Sequence, residues 1–114
     1  MDHPASYERL NRSIAELAAA APGVMSGFAS LQGATHAEGA LSVKVKELMA
    51  LAIGIAVHCE GCVTYHVHDA LAAGASAEEI SETIGVAVLM GGGPAVVYGS
   101  EALEALRQFQ ATPG

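Results

Sequence analysis

The chain has 114 residues, 52% of them hydrophobic and 15% charged, with a formal net charge of -7. Five Lys and Arg with no basic run cannot supply the clustered positive charge that binds nucleic acid, and the acidic balance disfavours anionic membranes. The length fits one domain, residues 1–114, but average domains carry about 25% charged residues, so this chain has more apolar surface than a small core can hide. That excess predicts a homo-oligomer.

In chain order, Tyr7, Leu10, Ile14 and Leu17 recur at spacings of three and four, which predicts a first helix from Pro4 to Ala21 that Pro22-Gly23 stops. Val24, Phe28 and Leu31 mark a short second helix. The Gly- and Ala-rich stretch Gln32 to Leu41 reads as a loop, with His36 and Glu38 as solvated loop residues. Ser42 caps a third helix that runs to Val57 and is apolar nearly all round after Glu47, which predicts burial on most sides. Cys59-Glu60-Gly61-Cys62 turns the chain into a fourth helix that ends near Ala73, with Gly74 at its C′ position. Ser76 and Glu79 match a capping box for a fifth helix, whose inner face holds Ile80, Ile84, Ala87 and Val88. Gly91 to Pro94 breaks it, and Ala95 to Phe109 forms the last helix. Period-two strand patterning is absent. The expected fold is all-α, one compact domain of five to six helices with a helical hairpin carrying the C-x-x-C.

Two stretches invite a membrane reading. Leu48 to Val57 is apolar but ten residues long, and Thr83 to Ser100 has eighteen uncharged residues interrupted by Gly91-Gly92-Gly93-Pro94. Spanning a bilayer takes roughly 20 predominantly apolar residues. With no secretory h-region near the start, a soluble cytoplasmic protein is the expectation. In a reducing compartment a C-x-x-C is more often catalytic or metal-binding than structural.

The chemistry concentrates between Glu47 and His68. Cys59 and Cys62 are the only cysteines, and His66 lies one turn beyond Cys62. If all three are helical they fall within roughly 60° of arc and converge. A thiolate attacks peroxides and disulfides where a thiol does so poorly, so the ordinary thiol pKa near ~8.5 must be lowered. A helix N-terminus favours Cys59 as the nucleophile, and His66 as general base favours Cys62; spacing leaves both open. Glu47 could orient His66. In an antiparallel hairpin, however, the two lie about 15 Å and about 9 Å from the turn, so contact requires a bridging water or a steep helix crossing.

The alternative is a zinc-binding or purely structural oligomer. Zinc needs four ligands, with Glu47 or His58 completing the set, and neither a second C-x-x-C nor an H-x-x-x-H is present. His58 and His68 read as surface residues or as supports behind the site rather than as catalytic groups, Tyr65 and Tyr98 as core, and Met90 as packing. Gly91 to Gly93 lack the Lys and Ser/Thr of a phosphate loop.

The spacing Glu47–Cys59–Cys62–His66, with its flanks KELMALAIGIAVHCEGCVTYHVHDALAAGAS and MGGGPAVVYG, resembles the carboxymuconolactone decarboxylase and alkylhydroperoxidase D-like family from about Lys46 to Gly99. The resemblance implies an all-helical domain assembling as a trimer or hexamer. It further implies a thiol-dependent peroxidase or disulfide oxidoreductase that takes a hydroperoxide substrate and a dithiol reductant, with neither cofactor nor metal. By position, Cys62 matches the family's attacking cysteine, Cys59 the resolving one, and His66 and Glu47 the proton relay. The best-known alkylhydroperoxidase D proteins have a histidine directly before the second cysteine, where this chain has Gly61. The decarboxylase branch lacks the cysteine pair, which argues against lactone decarboxylation.

Overall fold

A computed structural model describes residues 1–111. Those residues form six helices and no strand: α1 (His3–Ala20), α2 (Pro22–Thr35), α3 (Val43–Ala56), α4 (Glu60–Ala72), α5 (Ala77–Gly91) and α6 (Gly93–Ala111). The start signals act as chemistry requires. Ser42 Oγ accepts from the Val45 N–H to open α3, and Ser76 and Glu79 form a reciprocal capping box at α5. α1 ends before Pro22 as expected, and Pro22 itself occupies the first turn of α2, where its missing N–H costs nothing. α2 also runs on to Thr35, taking the first four residues of the stretch read as a loop, while residues 36–41 are non-helical as expected.

Helices α3 to α6 pack into the core, where Leu51, Ile55, Val63, Val67 and Ile80 are fully buried among small residues of α5 and α6 such as Ala87, Ala95 and Ala102. Alanine and glycine let these helices approach closely. A Cβ at Gly54 of α3 would lie 3.0 Å from Cys62 Cβ, and one at Gly99 of α6 would lie 2.8 Å from Ile84 Cγ2. α1 leans on α4 and α6, and α2 packs substantially only on α1. His3 anchors the start of α1, with Nδ1 2.7 Å from the Thr64 hydroxyl and its backbone N–H donating to Gln108 Oε1 at 2.7 Å.

Burial of α3 on most sides is not what a single chain achieves. Its buried residues, Glu47, Leu51, Gly54 and Ile55, occupy one face, while Met49, Ile53 and Val57 are exposed. Met90, expected to pack, is also exposed. No described helix is long and apolar enough to cross a membrane.

The α3–α4 contact makes Gly54 sensitive to bulk. Gly54→Val should destabilise the chain by roughly 1–3 kcal/mol in urea denaturation, the usual cost of overpacking. Gly85, in exposed mid-α5 with nothing within 4 Å of an added Cβ, should behave oppositely, Gly85→Ala gaining up to ~1 kcal/mol of helix propensity.

Candidate functional site

One tight turn ends α3 and starts α4. His58 sits at φ 61°, a left-handed conformation rare outside glycine. Its N–H donates to Ile55 O and the Cys59 N–H to Gly54 O, at 3.2 and 2.9 Å, which is the Schellman closure. The His58 ring stacks on Tyr98 at 5.0 Å. Cys59 then becomes the N-cap of α4, its Sγ accepting from the Cys62 N–H at 3.3 Å. Cys59 and Cys62 are joined as a disulfide.

Behind the cysteines lies Glu47, only 3% exposed. It meets His66 directly: His66 Nδ1–H donates to Glu47 Oε2 at 2.9 Å. The other carboxylate oxygen, Oε1, faces His36 Nε2. His36 is therefore not a solvated loop residue. It is the C-cap of α2, and its Nδ1 is 3.0 Å from Gln32 O. Both of its ring nitrogens thus face oxygen acceptors, which only the imidazolium satisfies. The bond to Glu47, reinforced by the Gln32 carbonyl, raises the His36 pKa above its ordinary value.

Asp69, one turn beyond His66, is the second residue the sequence did not single out. It accepts from the Tyr7 hydroxyl at 3.3 Å and from His68 Nδ1 at 2.9 Å. His68 is only half-buried and stacks on Tyr7 at 3.8 Å. Burial, followed by the Asp69 charge, raises the phenol pKa of Tyr65; burial also leads the rise at Tyr7. Both phenols remain neutral donors near pH 7. Glu47, His66 and Asp69 can bring ligand atoms within 4.8 Å of one another, the described grouping best placed for a metal ion. Each is already committed to hydrogen bonds, so the arrangement is internally satisfied.

The disulfide and both imidazoles line an open cavity of about 1010 Å³. Its far walls are α1 and α2, through Leu10, Ile14, Met25, Phe28 and Leu31, so the site is predominantly apolar. Gly61 borders it against Leu10, 3.5 Å from where a Cβ would stand. Of the four residues singled out from the sequence, Cys59, Cys62 and His66 line this cavity, and Glu47 sits behind His66.

Six helices, with a cysteine pair at the start of one and a cavity-lining histidine bonded to a buried glutamate, define the class as an all-α helical protein with a cavity-facing dithiol/disulfide. The profile of the carboxymuconolactone decarboxylase family matches residues 22–105, and the chain belongs to that family. A carboxymuconolactone decarboxylase family protein of Legionella pneumophila is 39% identical over 94% of this chain and 96% of its own, with a TM-score of 0.89. A Thermotoga maritima family member, for which involvement in an antioxidative response has been suggested, is 29% identical over 91% and 89% of the two chains, with a TM-score of 0.83. An uncharacterised protein of Cupriavidus necator is 37% identical over 82% of this chain and 83% of its own.

The His36–Glu47 pair links stability to pH. The His36 pKa is raised by folding, so its contribution is fully present below the unfolded value of about 6.5 and is lost as pH rises through the higher folded value. The stability difference between wild type and His36→Ala should therefore be largest on the acidic side of that window and shrink above it, as read by urea titrations at successive pH values.

Proposed function

We propose that this chain is a two-thiol redox enzyme of the peroxidase or disulfide-exchange type. The observation that carries the reading is the Cys59–Cys62 disulfide at the cavity wall, beside a histidine whose Nδ1 is committed to Glu47. With Nδ1–H donated to the carboxylate, neutral His66 carries its lone pair on Nε2, the nitrogen left to take a proton from a thiol.

In the proposed cycle, His66 accepts the Cys62 thiol proton and the thiolate attacks the terminal oxygen of a hydroperoxide. The O–O bond breaks, Cys62 becomes a sulfenic acid, and the alcohol leaves with the proton from His66. The Cys59 thiol then displaces hydroxide from the sulfenic sulfur, which departs as water, and the disulfide forms. An external dithiol attacks Cys59 and releases the Cys62 thiolate; its second thiol then attacks its own sulfur in the mixed disulfide, freeing Cys59 and leaving the reductant as a disulfide. The suggested antioxidative association of the Thermotoga family member points the same way. Gly61 stands where a relay histidine would be, and His36 supplies a second imidazole to Glu47 from a different helix.

The test is hydroperoxide consumption with a dithiol. Cys62→Ser should abolish it, and a rate equal to wild type would end the reading. His66→Ala should lower thiol reactivity at pH 7 by about 10²–10⁴-fold, the scale of a general base, with much of the loss recovered at high pH where the thiol ionises unaided. Glu47→Gln should give a smaller defect in the same direction. If His66→Ala leaves the alkylation pH profile unmoved, the helix N-terminus suffices and Cys59 is the nucleophile.

We also propose that the chain works as a homo-oligomer, a trimer or hexamer. Leu89, Met90, Val24 and Val57 expose 80%, 76%, 73% and 65% of their surfaces, apolar area of the kind subunit contacts cover. Light scattering at micromolar concentration should give a trimer or larger; a monomer near 11.5 kDa would refute it.

A further inference from the structure

We propose that His36 is the latch of a movable cavity wall: it fastens the end of α2 to the buried Glu47 and, through that carboxylate, positions His66. The inference rests on the geometry at Glu47 and not on the redox reading.

Within one chain, α2 is the weakest-held helix. It has no buried residue, and its only substantial packing is on α1. Gly23, Gly27 and Gly33 have nothing within 4 Å of an added Cβ, so close packing does not offset their conformational cost. Segments with few buried contacts open at the low end of the stability range. Yet α2 forms one side of the cavity, through Met25, Phe28 and Leu31, opposite the disulfide.

What ties its C-terminal end to the core is His36 on Glu47. The neighbouring bond from Lys46 Nζ to the Ala37 carbonyl, 2.6 Å, is exposed and holds only the following loop. The charged and titratable groups around His36 are Glu47 from α3 and Tyr65, His66 and Asp69 from α4; α1 offers the cavity only Leu10, Ile14 and Ala18. Every carboxylate among them favours the imidazolium. A neutral His36 has one proton for two acceptors, so a lone pair must face either the carboxylate or the Gln32 carbonyl. The tautomer that keeps Nε2–H on Glu47 loses the charge that strengthens the bond, and the other tautomer loses the bond, so the hold on the end of α2 weakens. His36 is thus a positioning residue for Glu47 and a pH-sensitive fastener for the wall.

The experiment is amide hydrogen exchange of the full chain from about pH 6 to about pH 9, corrected for intrinsic exchange, alongside an imidazole ¹⁵N titration of His36. Protection of residues 22–35 should fall about tenfold, the scale of losing one hydrogen bond to a charged group, with a midpoint coinciding with His36. Protection of α5 should not move. In His36→Gln, whose amide can still donate to Glu47 but does not titrate, α2 protection should be independent of pH. Flat protection of α2 across the His36 titration in wild type, or the same fall in His36→Gln, overturns the proposal. Should the variant not fold, coincidence or non-coincidence of the two wild-type midpoints decides it. Because no peroxide is used, failure here leaves the redox reading standing, and failure of that reading leaves the latch standing.

Discussion

A carboxylate buried to 3% exposure sets the terms for this fold. Taking an ionised Glu47 out of water costs several kcal/mol unless donors replace the lost hydration. Two imidazoles do so, one on each oxygen, and they come from different helices: His36 from the end of α2 and His66 from the second turn of α4. Three of the six helices are thereby fixed relative to one side chain. Removing either histidine alone leaves a buried charge partly unpaired, so the three residues act as a unit whose single-site effects do not add.

The same constraint explains the α3–α4 crossing. For Glu47 to touch His66 directly, α4 must pass close over α3, and Gly54 makes room where a Cβ would press on Cys62. The chain reverses in one step, with His58 accepting a left-handed backbone and Cys59 serving both as the residue after that closure and as the cap of α4. Left-handed backbone costs a non-glycine residue roughly 1–2 kcal/mol, offset here by two backbone hydrogen bonds and the stack on Tyr98. The turn fixes where both sulfurs stand relative to the helix start, so local backbone geometry and thiol chemistry are decided together.

Much of this was legible in the chain because it is local. Ser42, Gly74 and the Ser76–Glu79 box are short-range signals with a mechanism behind each, and the i, i+3, i+7 spacing of Cys59, Cys62 and His66 needs only helical periodicity. The meeting of Glu47 and His66 was legible as a possibility, left short by the reach estimated for an antiparallel hairpin, whereas the two side chains meet directly. His36 was not legible. Its neighbours are small and glycine-rich, which favours a loop reading, and its role comes from a partner eleven residues away on another helix. Asp69 escaped notice for a similar reason, since Tyr7, which binds it, is 62 positions distant. The apolar run of α3 was over-read as burial because hydrophobicity reports what avoids water, not whether its own chain or another covers it.

The second imidazole changes what Glu47 can do. A carboxylate facing one histidine acts on it both as a hydrogen-bond acceptor and as a full negative charge. With an imidazolium already on its other oxygen, much of that charge is neutralised at contact distance, while the acceptor geometry toward His66 Nδ1 is kept. Glu47 then serves chiefly to fix the tautomer and aim of His66. His36, at the end of α2, joins the cavity wall to the same carboxylate. Gly61 leaves its position to Leu10 and open space, and the imidazole that meets the carboxylate arrives on the element that encloses the cavity. The cavity wall and His66 therefore meet at the same carboxylate.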